Sequence, residues 1–254
     1  MTAGPQVPCC SSGIGSGRWA WRGSTDREGQ GTGGQYMDGA ASGRMCRAEP
    51  TATGDAGVVS PVWIASVVVA YLLGTVPSAH LVAGRRGLDP TKAGSGNPGA
   101  TNVYRVAGRR AGLVVFAADA GKGALATGLG LLVDGRTLGV ACWAAATVGH
   151  VLPLTRRFRG GKGVATAGGG SWVVFPVVAL CCSVVFALVA RMTGKASLGS
   201  LAIAVVLPVL VAVFGGSTGE VLVSVGLAGL VMVRHQDNIR RLFSGAEDSW
   251  GPGV

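Results

Sequence analysis

The chain has 254 residues, of which 48% are apolar and only 13% are charged, and its mean hydropathy is +0.46. Soluble domains carry about 25% charged residues, so this composition argues against a water-soluble globular protein. The 44 glycines follow no G-X-Y period, which excludes collagen, and the net charge of +10 gains a meaning only from where the basic residues lie.

Residues 1–57 form a tail that differs in composition from the rest of the chain. It is rich in Gly, Ser and Thr, balances five arginines with five acidic residues and contains no apolar run. This composition predicts disorder, and nothing in it resembles a signal peptide. Met37 or Met45 is an equally good start site. We therefore predict a disordered tail (1–57), a membrane domain (58–248) and a short C-terminal tail (249–254).

From Val58 onward, long apolar runs alternate with short basic connectors. About 17 to 20 apolar residues suffice to cross a hydrocarbon core of about 30 Å, and most of the runs reach that length. The runs are 58–83, 111–133, 137–154, 163–190, 197–214 and 219–233, the last of them marginal. The sequence therefore predicts an all-α, polytopic helical membrane protein.

The basic residues are concentrated in two of the connectors. Residues 84–110 carry a net charge of +5 and residues 155–162 a net charge of +4, whereas the tail is neutral. The positive-inside rule predicts that both connectors are cytoplasmic and that the N-terminus is outside. Arg234, Arg240 and Arg241 likewise predict a cytoplasmic C-terminus. This placement removes the main argument for a nucleic-acid partner, and we predict none.

An outside N-terminus and a cytoplasmic C-terminus require an odd number of crossings. Glycines 168–170 and Pro176 interrupt the run 163–190, so this run is predicted to form two short helices. The total is then seven transmembrane helices. The alternative is five, with one late run only partly embedded.

The chain offers little for metal or redox chemistry. Its six cysteines show no C-x-x-C spacing, and its three histidines fit no H-E-x-x-H pattern. We therefore predict no metal ion and no cofactor.

Three polar clusters lie on the predicted cytoplasmic side, and the first is GSGNPGATNVYR at 94–105. Its glycines free the backbone so that amides can converge on an anion, and its polar side chains add hydroxyl and amide groups. A polar turn rich in Gly and Asn is the simpler alternative. The residues predicted to form a phosphate site are Gly94, Ser95, Gly96, Asn97, Thr101, Asn102 and Arg105.

The second cluster is GGKG at 160–163, which leads into an apolar run. A lysine at a helix N-terminus lies where the helix dipole and the free amides favour an anion. No Ser or Thr follows Lys162, so this is not a Walker A motif and ATP hydrolysis is disfavoured. The candidates here are His150, Gly160, Gly161, Lys162 and Gly163.

The third cluster is RHQDNIRRLFSGAE at 234–247, where His235 and Asn238 share a helix face and Glu247 follows. A histidine at the headgroup level is the simpler alternative. Asp119 and Lys122 lie inside an apolar run with the same spacing of three. They either neutralise each other in a structural ion pair or belong to a site.

Together these motifs resemble those of the bacterial membrane acyl-phosphate:glycerol-3-phosphate acyltransferases. The three clusters are similar to that family's three motifs in order, the second of them as GHVLPLTRRFRGGKGVAT, and GTVP at 74–77 and DAGKG at 119–123 are also similar. The resemblance covers residues 58–248. After Pro77 the family usually has Phe-Gly or a similar pair where this chain has Ser78, Ala79 and His80, so His80 is given no role.

The resemblance implies transfer of an acyl group from acyl phosphate to the 1-hydroxyl of sn-glycerol 3-phosphate. The products are lysophosphatidic acid and phosphate, in the first step of phospholipid biosynthesis. It also implies a multi-pass protein of the bacterial plasma membrane with its active site facing the cytoplasm. The partners are then the two substrates and the lipid bilayer, and we expect a monomer.

The residues expected to carry the reaction are Ser95, Arg105, Lys162, His235 and Asn238, while the other candidates, including Lys122, His150 and Glu247, are expected to bind substrate. Direct attack of the hydroxyl on acyl phosphate is the mechanism we favour, and a covalent acyl group on Ser95 is its rival. A transporter of a phosphorylated metabolite is the alternative function, and a membrane scaffold is a third.

Overall fold

The structure is a computed structural model that describes residues 60–249. The predicted tail at 1–57 and nearly all of 249–254 lie outside these residues. Every regular element between residues 60 and 249 is helical, as the composition predicts. The protein is therefore all-α in its described part.

Nine α-helices follow one another along these residues, with one short 3₁₀ turn, Leu154–Arg156, between the fourth and the fifth. They are α1 Pro61–Gly74, α2 Ser78–Gly84, α3 Ala100–Ala107, α4 Arg109–Val151, α5 Val164–Val174, α6 Pro176–Thr193, α7 Ala196–Val213, α8 Thr218–Arg234 and α9 Gln236–Phe243.

By length and composition, four helical stretches within 60–249 can cross a membrane. A fifth is added if α8 and α9, which are bent by 56° relative to each other, count as one span. This count does not reach the seven crossings predicted from the sequence. The whole of α4 belongs to one of these stretches, although α4 is not straight.

Helix α4 reverses direction in its middle. A straight helix of 43 residues would be about 65 Å long. Asp134 (φ −151°) and Gly135 (φ 67°) leave the helical conformation, and the Nδ1 atom of His150 lies 3.4 Å from a carboxylate oxygen of Asp119. Residues 109–133 and 136–151 are therefore two antiparallel arms, which we call the first and second arms of α4.

The break predicted within 163–190 occurs at one of the two expected places. Phe175 and Pro176 separate α5 from α6, because a proline cannot continue a helix that precedes it. Glycines 168–170 do not interrupt a helix, and that part of the prediction is wrong. They lie inside α5, where they allow close packing against α4.

Glycines set the distances between α4 and its two neighbours. A Cβ atom on Gly74 or Gly149 would overlap a backbone oxygen across the contact between α1 and the second arm of α4. One on Gly123 or Gly169 would do the same between the first arm and α5. Small residues that let helix backbones touch are typical of packing inside membranes, where burial of apolar surface drives little association.

The ends of the helices collect in two regions. At one end, Arg136 forms an ion pair with Glu220, donates from Nη1 to the Val174 carbonyl at 3.1 Å and stacks 4.8 Å from the ring centre of Phe175. At the other end, Arg234 donates to the carbonyls of the loop between α4 and α5. We call these the far end and the site end.

Replacing Gly169 by Val is expected to lower the free energy of unfolding by about 2 kcal/mol, because the added carbons meet the Ala120 backbone. The matched control is Gly168→Ala, since nothing lies within 4 Å of that Cβ position. Removing a helical glycine there should raise stability by about 0.5 to 1 kcal/mol. Unfolding in detergent measures both, and equal effects would contradict the packing argument.

Candidate functional site

A cavity of about 120 Å³, which we call the main cavity, opens at the site end. It is enclosed by the loop before α3, α3 itself, both arms of α4, the start of α5, parts of α6 and α7, and the segment from His235 to residue 249. The predicted residues that line it are Ser95, Asn97, Thr101, Asn102, Arg105, His150, Lys162, Gly163, His235, Asn238 and Glu247. All three polar clusters of the sequence therefore meet at one place.

The glycine-rich loop does not present its amides to this cavity as expected. The Ser95 amide donates to Oδ1 of Asn102 at 2.9 Å, and the Gly96 amide donates to the Ala93 carbonyl at 3.2 Å. Both amides are bonded within the protein, so the expected convergence of amides on an anion is not seen at these two positions, and the predicted role of the Ser95 hydroxyl is unaffected. Gly96 and Gly94 do not line the cavity, whereas Ser95 does.

Asn102 holds this loop in place. Its side chain is buried, and Nδ2 donates to the carbonyls of Pro90 at 2.8 Å and Ala93 at 3.0 Å while Oδ1 accepts the Ser95 amide. Its two donors and its acceptor are thus used within the protein. Asn102 positions the loop against α3, and it leaves Ser95 and Asn97 to face the cavity.

Arg105 extends from α3 into the cavity. Its Nη1 atom is 2.7 Å from a carboxylate oxygen of Asp248, and its Nε atom is buried without a hydrogen-bond partner. A buried guanidinium N–H group that lacks an acceptor is costly, because it has lost its water. The unpartnered atom therefore favours an anionic ligand at this position.

Lys162 begins a hydrogen-bonded chain across the cavity. Its Nζ donates to Oδ1 of Asn238, whose Nδ2 donates to Glu247 at 2.6 Å. Arg241 donates to the other oxygen of Glu247 at 2.9 Å. The amide of Asn238 thus links the ammonium group to the carboxylate, and the chain joins the second and third clusters.

Burial and neighbouring charges shift the pKa values of Lys162 and Glu247. Burial lowers the pKa of Lys162 to about 8; the Glu247 carboxylate opposes this shift, and nearby arginines add to it. Burial would raise the pKa of Glu247, but the hydroxyl of Ser197 and the donors Asn238 and Arg241 hold it below its ordinary value. Near neutral pH both groups are charged.

His235 stands at the bend between α8 and α9 with only 2% of its surface exposed. Its Nδ1 atom is 2.7 Å from the Val231 carbonyl, which can only accept a hydrogen bond. Nδ1 therefore carries the hydrogen, and Nε2 of the neutral ring is a proton acceptor. His235 and Asn238 line the same cavity, as their spacing predicts.

The GGKG segment is fixed through its first two glycines. The amides of Gly160 and Gly161 donate to the carbonyls of Val151 and His150, and their own carbonyls accept from Arg234. Neither glycine lines the main cavity, and both pack against His150, where a Cβ atom would overlap it, so their role in binding stays a prediction. Gly163, at φ 83°, precedes the first residue of α5.

A buried polar group at the wall of the cavity is centred on Asp119. Its carboxylate accepts from Ser78, lies 2.9 Å from Nζ of Lys122 and contacts His150. The Lys122 ammonium also donates to the Val76 carbonyl at 3.0 Å, and it does not line the main cavity. Asp119 and Lys122 therefore form an ion pair, with His150 as a third member, and Asp119 and His150 also line the cavity, so the ion pair does not exclude a role in the site.

Known proteins carry the same combination of sequence and fold. The family model described as glycerol-3-phosphate acyltransferase matches residues 64–245. The chain belongs to the glycerol-3-phosphate acyltransferase family. It is an acyltransferase, and it is a multi-pass membrane protein.

Individual relatives extend this finding. A glycerol-3-phosphate acyltransferase of Thermoanaerobacter sp. (strain X514) is 37% identical over 189 residues, which are 74% of this chain and 96% of the relative. One of Parasynechococcus marenigrum (strain WH8102) is 41% identical over 191 residues, which are 72% and 87% of the two chains.

A solved structure has the same fold. The glycerol 3-phosphate form of PlsY (YgiH), an integral membrane glycerol 3-phosphate acyltransferase, superposes with a TM-score of 0.72 at 32% identity. The match covers 75% of this chain and 96% of PlsY.

Several residues of the acyltransferase cavity gave no signal in its sequence. Ser197 and Ser200 reach the cavity from α7, Phe116 from α4 and Phe186 from α6. Each lies in an apolar run, where a lone serine or phenylalanine is ordinary. Asp248 lies just beyond the third motif, and only its contact with Arg105 reveals it.

Replacing Asn238 by Leu is expected to lower the free energy of unfolding of the acyltransferase by about 3 kcal/mol. The change leaves the charged groups of Lys162 and Glu247 buried without their shared partner. The control is Asp237→Asn, next to it in the chain, whose ion pair with Arg240 at 3.6 Å is exposed. That loss should cost at most about 0.5 kcal/mol, so similar losses would refute the linking role.

Proposed function

We propose that this acyltransferase transfers an acyl group from acyl phosphate to the 1-hydroxyl of sn-glycerol 3-phosphate. The products are lysophosphatidic acid and phosphate, and the reaction is the first step of phospholipid biosynthesis. Support comes chiefly from one observation: Arg105, Lys162 and an Nε2 acceptor on His235 line a single cavity. Two phosphate-bearing substrates need such cations, and a hydroxyl nucleophile needs a proton acceptor.

Arg105 and Lys162 are the proposed phosphate-binding groups. The carboxylates near them, Asp248 and Glu247, compensate their charge. A phosphate group offers more acceptor atoms than one carboxylate and matches the planar guanidinium group. Ser95, Asn97 and Thr101 would add side-chain hydrogen bonds from the loop and from α3.

The proposed mechanism is direct attack. The substrate hydroxyl forms a bond to the acyl carbon, the bond from that carbon to the phosphate oxygen breaks, and phosphate leaves. The hydroxyl proton passes to Nε2 of His235 or to a substrate phosphate. Because a mixed anhydride has a good leaving group, catalysis requires mainly positioning and stabilisation of developing negative charge by Lys162 and Asn238.

The acyl chain is proposed to occupy a second, apolar cavity. This cavity of about 50 Å³ lies among α5, α6, α7 and α8, and it shares Val164 and Ser200 with the main cavity. Its other walls include Gly168, Ala204 and Leu227. The two cavities adjoin, so a carbonyl held among the polar groups would direct its chain between the helices.

We also propose seven crossings, with the N-terminus outside and the C-terminus and active site at the cytoplasmic face of the bacterial plasma membrane. The seven are α1 with α2, the two arms of α4, and α5, α6, α7 and α8. Support comes from the alternation of their ends between the far end and the site end. The basic connectors at 84–110 and 155–162 both lie at the site end.

Three further expectations belong to this proposal. The enzyme acts as a monomer without a metal ion or cofactor. Residues 58–248 form the membrane domain, and 1–57 contribute nothing to catalysis. Among residues 60–249 no three His, Cys, Asp or Glu side chains are grouped as metal ligands.

Because residues 1–57 are expected to contribute nothing to catalysis, a chain that begins at Met45 should retain the wild-type rate.

The reaction is tested with purified protein and acyl phosphate. Phosphate release should depend on added glycerol 3-phosphate and should match the lysophosphatidic acid formed. The variant Arg105→Met should lose at least about 100-fold in kcat/KM, because a charge-stabilising group is removed. No phosphate release under either condition would refute the proposed reaction.

The fate of Ser95 separates the two mechanisms. Direct attack predicts that no labelled acyl group becomes attached to the protein when glycerol 3-phosphate is omitted. It also predicts that Ser95→Ala raises the KM for a phosphate substrate and leaves a measurable kcat. A labelled acyl group on Ser95 would establish the covalent route instead.

Activity should fall at alkaline pH because of Lys162. Its pKa of about 8 lies below its ordinary value of 10.5, so the free enzyme loses this positive charge as the pH rises through 8. Above that pH, kcat/KM should fall about tenfold per pH unit. Lys162→Arg, which stays charged, should abolish this fall, and a fall of the same steepness in that variant would assign it to another group.

Narrowing the apolar cavity should change the preferred acyl chain. Gly168 lines this cavity with nothing within 4 Å of its Cβ position, so Gly168→Leu fits locally while filling the space. We expect kcat/KM for the longest acyl phosphates to fall at least about tenfold relative to the shortest. Gly121→Leu, another helical position with nothing within 4 Å, is the control and should leave the ratio unchanged.

A further inference from the structure

Residues 152–159, between α4 and α5, form a closed lobe at the site end, which we call the arginine lobe. Its neck is closed by the Gly160 amide, which donates to the Val151 carbonyl at 3.2 Å. The hydroxyl of Tyr71 on α1 accepts the amide of Leu154 at 3.0 Å. The lobe is thus tied both to its own stem and to a neighbouring helix.

The tip of the arginine lobe has a specific backbone conformation. Arg157 (φ 51°) and Phe158 (φ 61°) are consecutive left-handed residues, a conformation that side-chain-bearing residues rarely adopt. The amide of Phe158 donates to the Pro153 carbonyl at 2.9 Å, which holds this turn closed. Strain of this kind persists where the surrounding structure enforces it, and it often marks functional segments.

The lobe exposes two large apolar side chains. Leu154 is 62% exposed and Phe158 is 55% exposed. The second arm of α4 ends at Val151, and α5 begins at Val164. A lobe between two membrane-embedded helices lies at the membrane surface, where aromatic and aliphatic side chains can enter the interfacial layer.

Three arginines accompany these apolar groups. Arg156, Arg157 and Arg159 form no ion pair with any carboxylate of residues 60–249. None of the three lines the main cavity, although Arg156 and Arg159 border a small cavity of about 20 Å³ that His150 and Lys122 also line. Three positive charges that lack an acidic partner therefore lie on the same lobe as Leu154 and Phe158.

We propose that the arginine lobe binds the headgroups of anionic phospholipids. The arginines contact the lipid phosphates, while Leu154 and Phe158 enter the membrane between the headgroups. Arginine pairs with phosphate through two parallel hydrogen bonds, and clusters of basic residues beside membrane-spanning helices attract anionic lipids. A free phosphate ion would leave the two apolar side chains without a partner, whereas a lipid surface satisfies both halves of the lobe.

Lipid retention by the full-length protein tests this proposal. The protein is purified in detergent with equal amounts of phosphatidylglycerol and phosphatidylcholine, and the retained lipids are counted by mass spectrometry. Wild type should retain phosphatidylglycerol preferentially. The variant R156Q/R157Q/R159Q should lower this preference at least about fivefold.

The matched control is R85Q/R109Q/R110Q, which removes the same charge from exposed positions of the other basic connector. It should keep the preference. No preference in wild type, or an equal loss in both triple variants, would overturn the proposal. If the first triple variant unfolds, the three single variants replace it; a graded loss supports the lobe, and no loss in any of them overturns it.

Two further experiments distinguish binding of a lipid from binding of a free anion. Leu154→Ser/Phe158→Ser keeps all three arginines and should still weaken retention of phosphatidylglycerol. Inorganic phosphate should displace the lipid no better than sodium chloride of equal ionic strength. Unchanged retention in the serine variant, or specific displacement by phosphate, would assign the lobe to a free anion and overturn the proposal.

Discussion

Direct backbone contact at glycine is the constraint on which the rest of this structure depends. Gly74 and Gly149 bring α1 against the second arm of α4, and Gly123 and Gly169 bring α5 against the first arm. In a membrane, helices gain little by burying apolar surface, so dispersion contacts and hydrogen bonds must supply the association. Any side chain at these positions would force the two helices of each pair apart.

This close packing explains why buried charged groups are tolerated at the wall of the cavity. The first and second arms of α4 lie close enough for Asp119 to meet both Lys122 and His150. A carboxylate buried alone would be costly, but each group of this set compensates another. The set also braces the end of the second arm from which the GGKG segment continues, since the amide of Gly161 is bonded to the carbonyl of His150.

Much of this could be predicted from the sequence, because a membrane imposes length and polarity on every span. The apolar runs coincide with the helices to within a few residues, and the three polar clusters meet at one cavity. The predictions that failed concern the hydrogen-bond partners of individual groups. Composition identifies a flexible loop around Ser95 and Gly96, but it does not say which carbonyl or side chain each amide will meet. Ser200 was missed because a serine in an apolar helix ordinarily bonds the preceding turn, as Ser200 also does with Ala196.

The ion pair between Arg105 and Asp248 joins residues 143 positions apart. Ribosomes make the chain from its N-terminus, so α1 to α5 can enter the membrane and pack while the partner of Arg105 has not yet been synthesised. The cavity is closed only when the segment after α9 folds back onto α3. Assembly of these helices can therefore precede closure of the cavity, and a nascent chain holds Arg105 and Lys162 before it holds Asp248 and Glu247, the carboxylates that balance their charge.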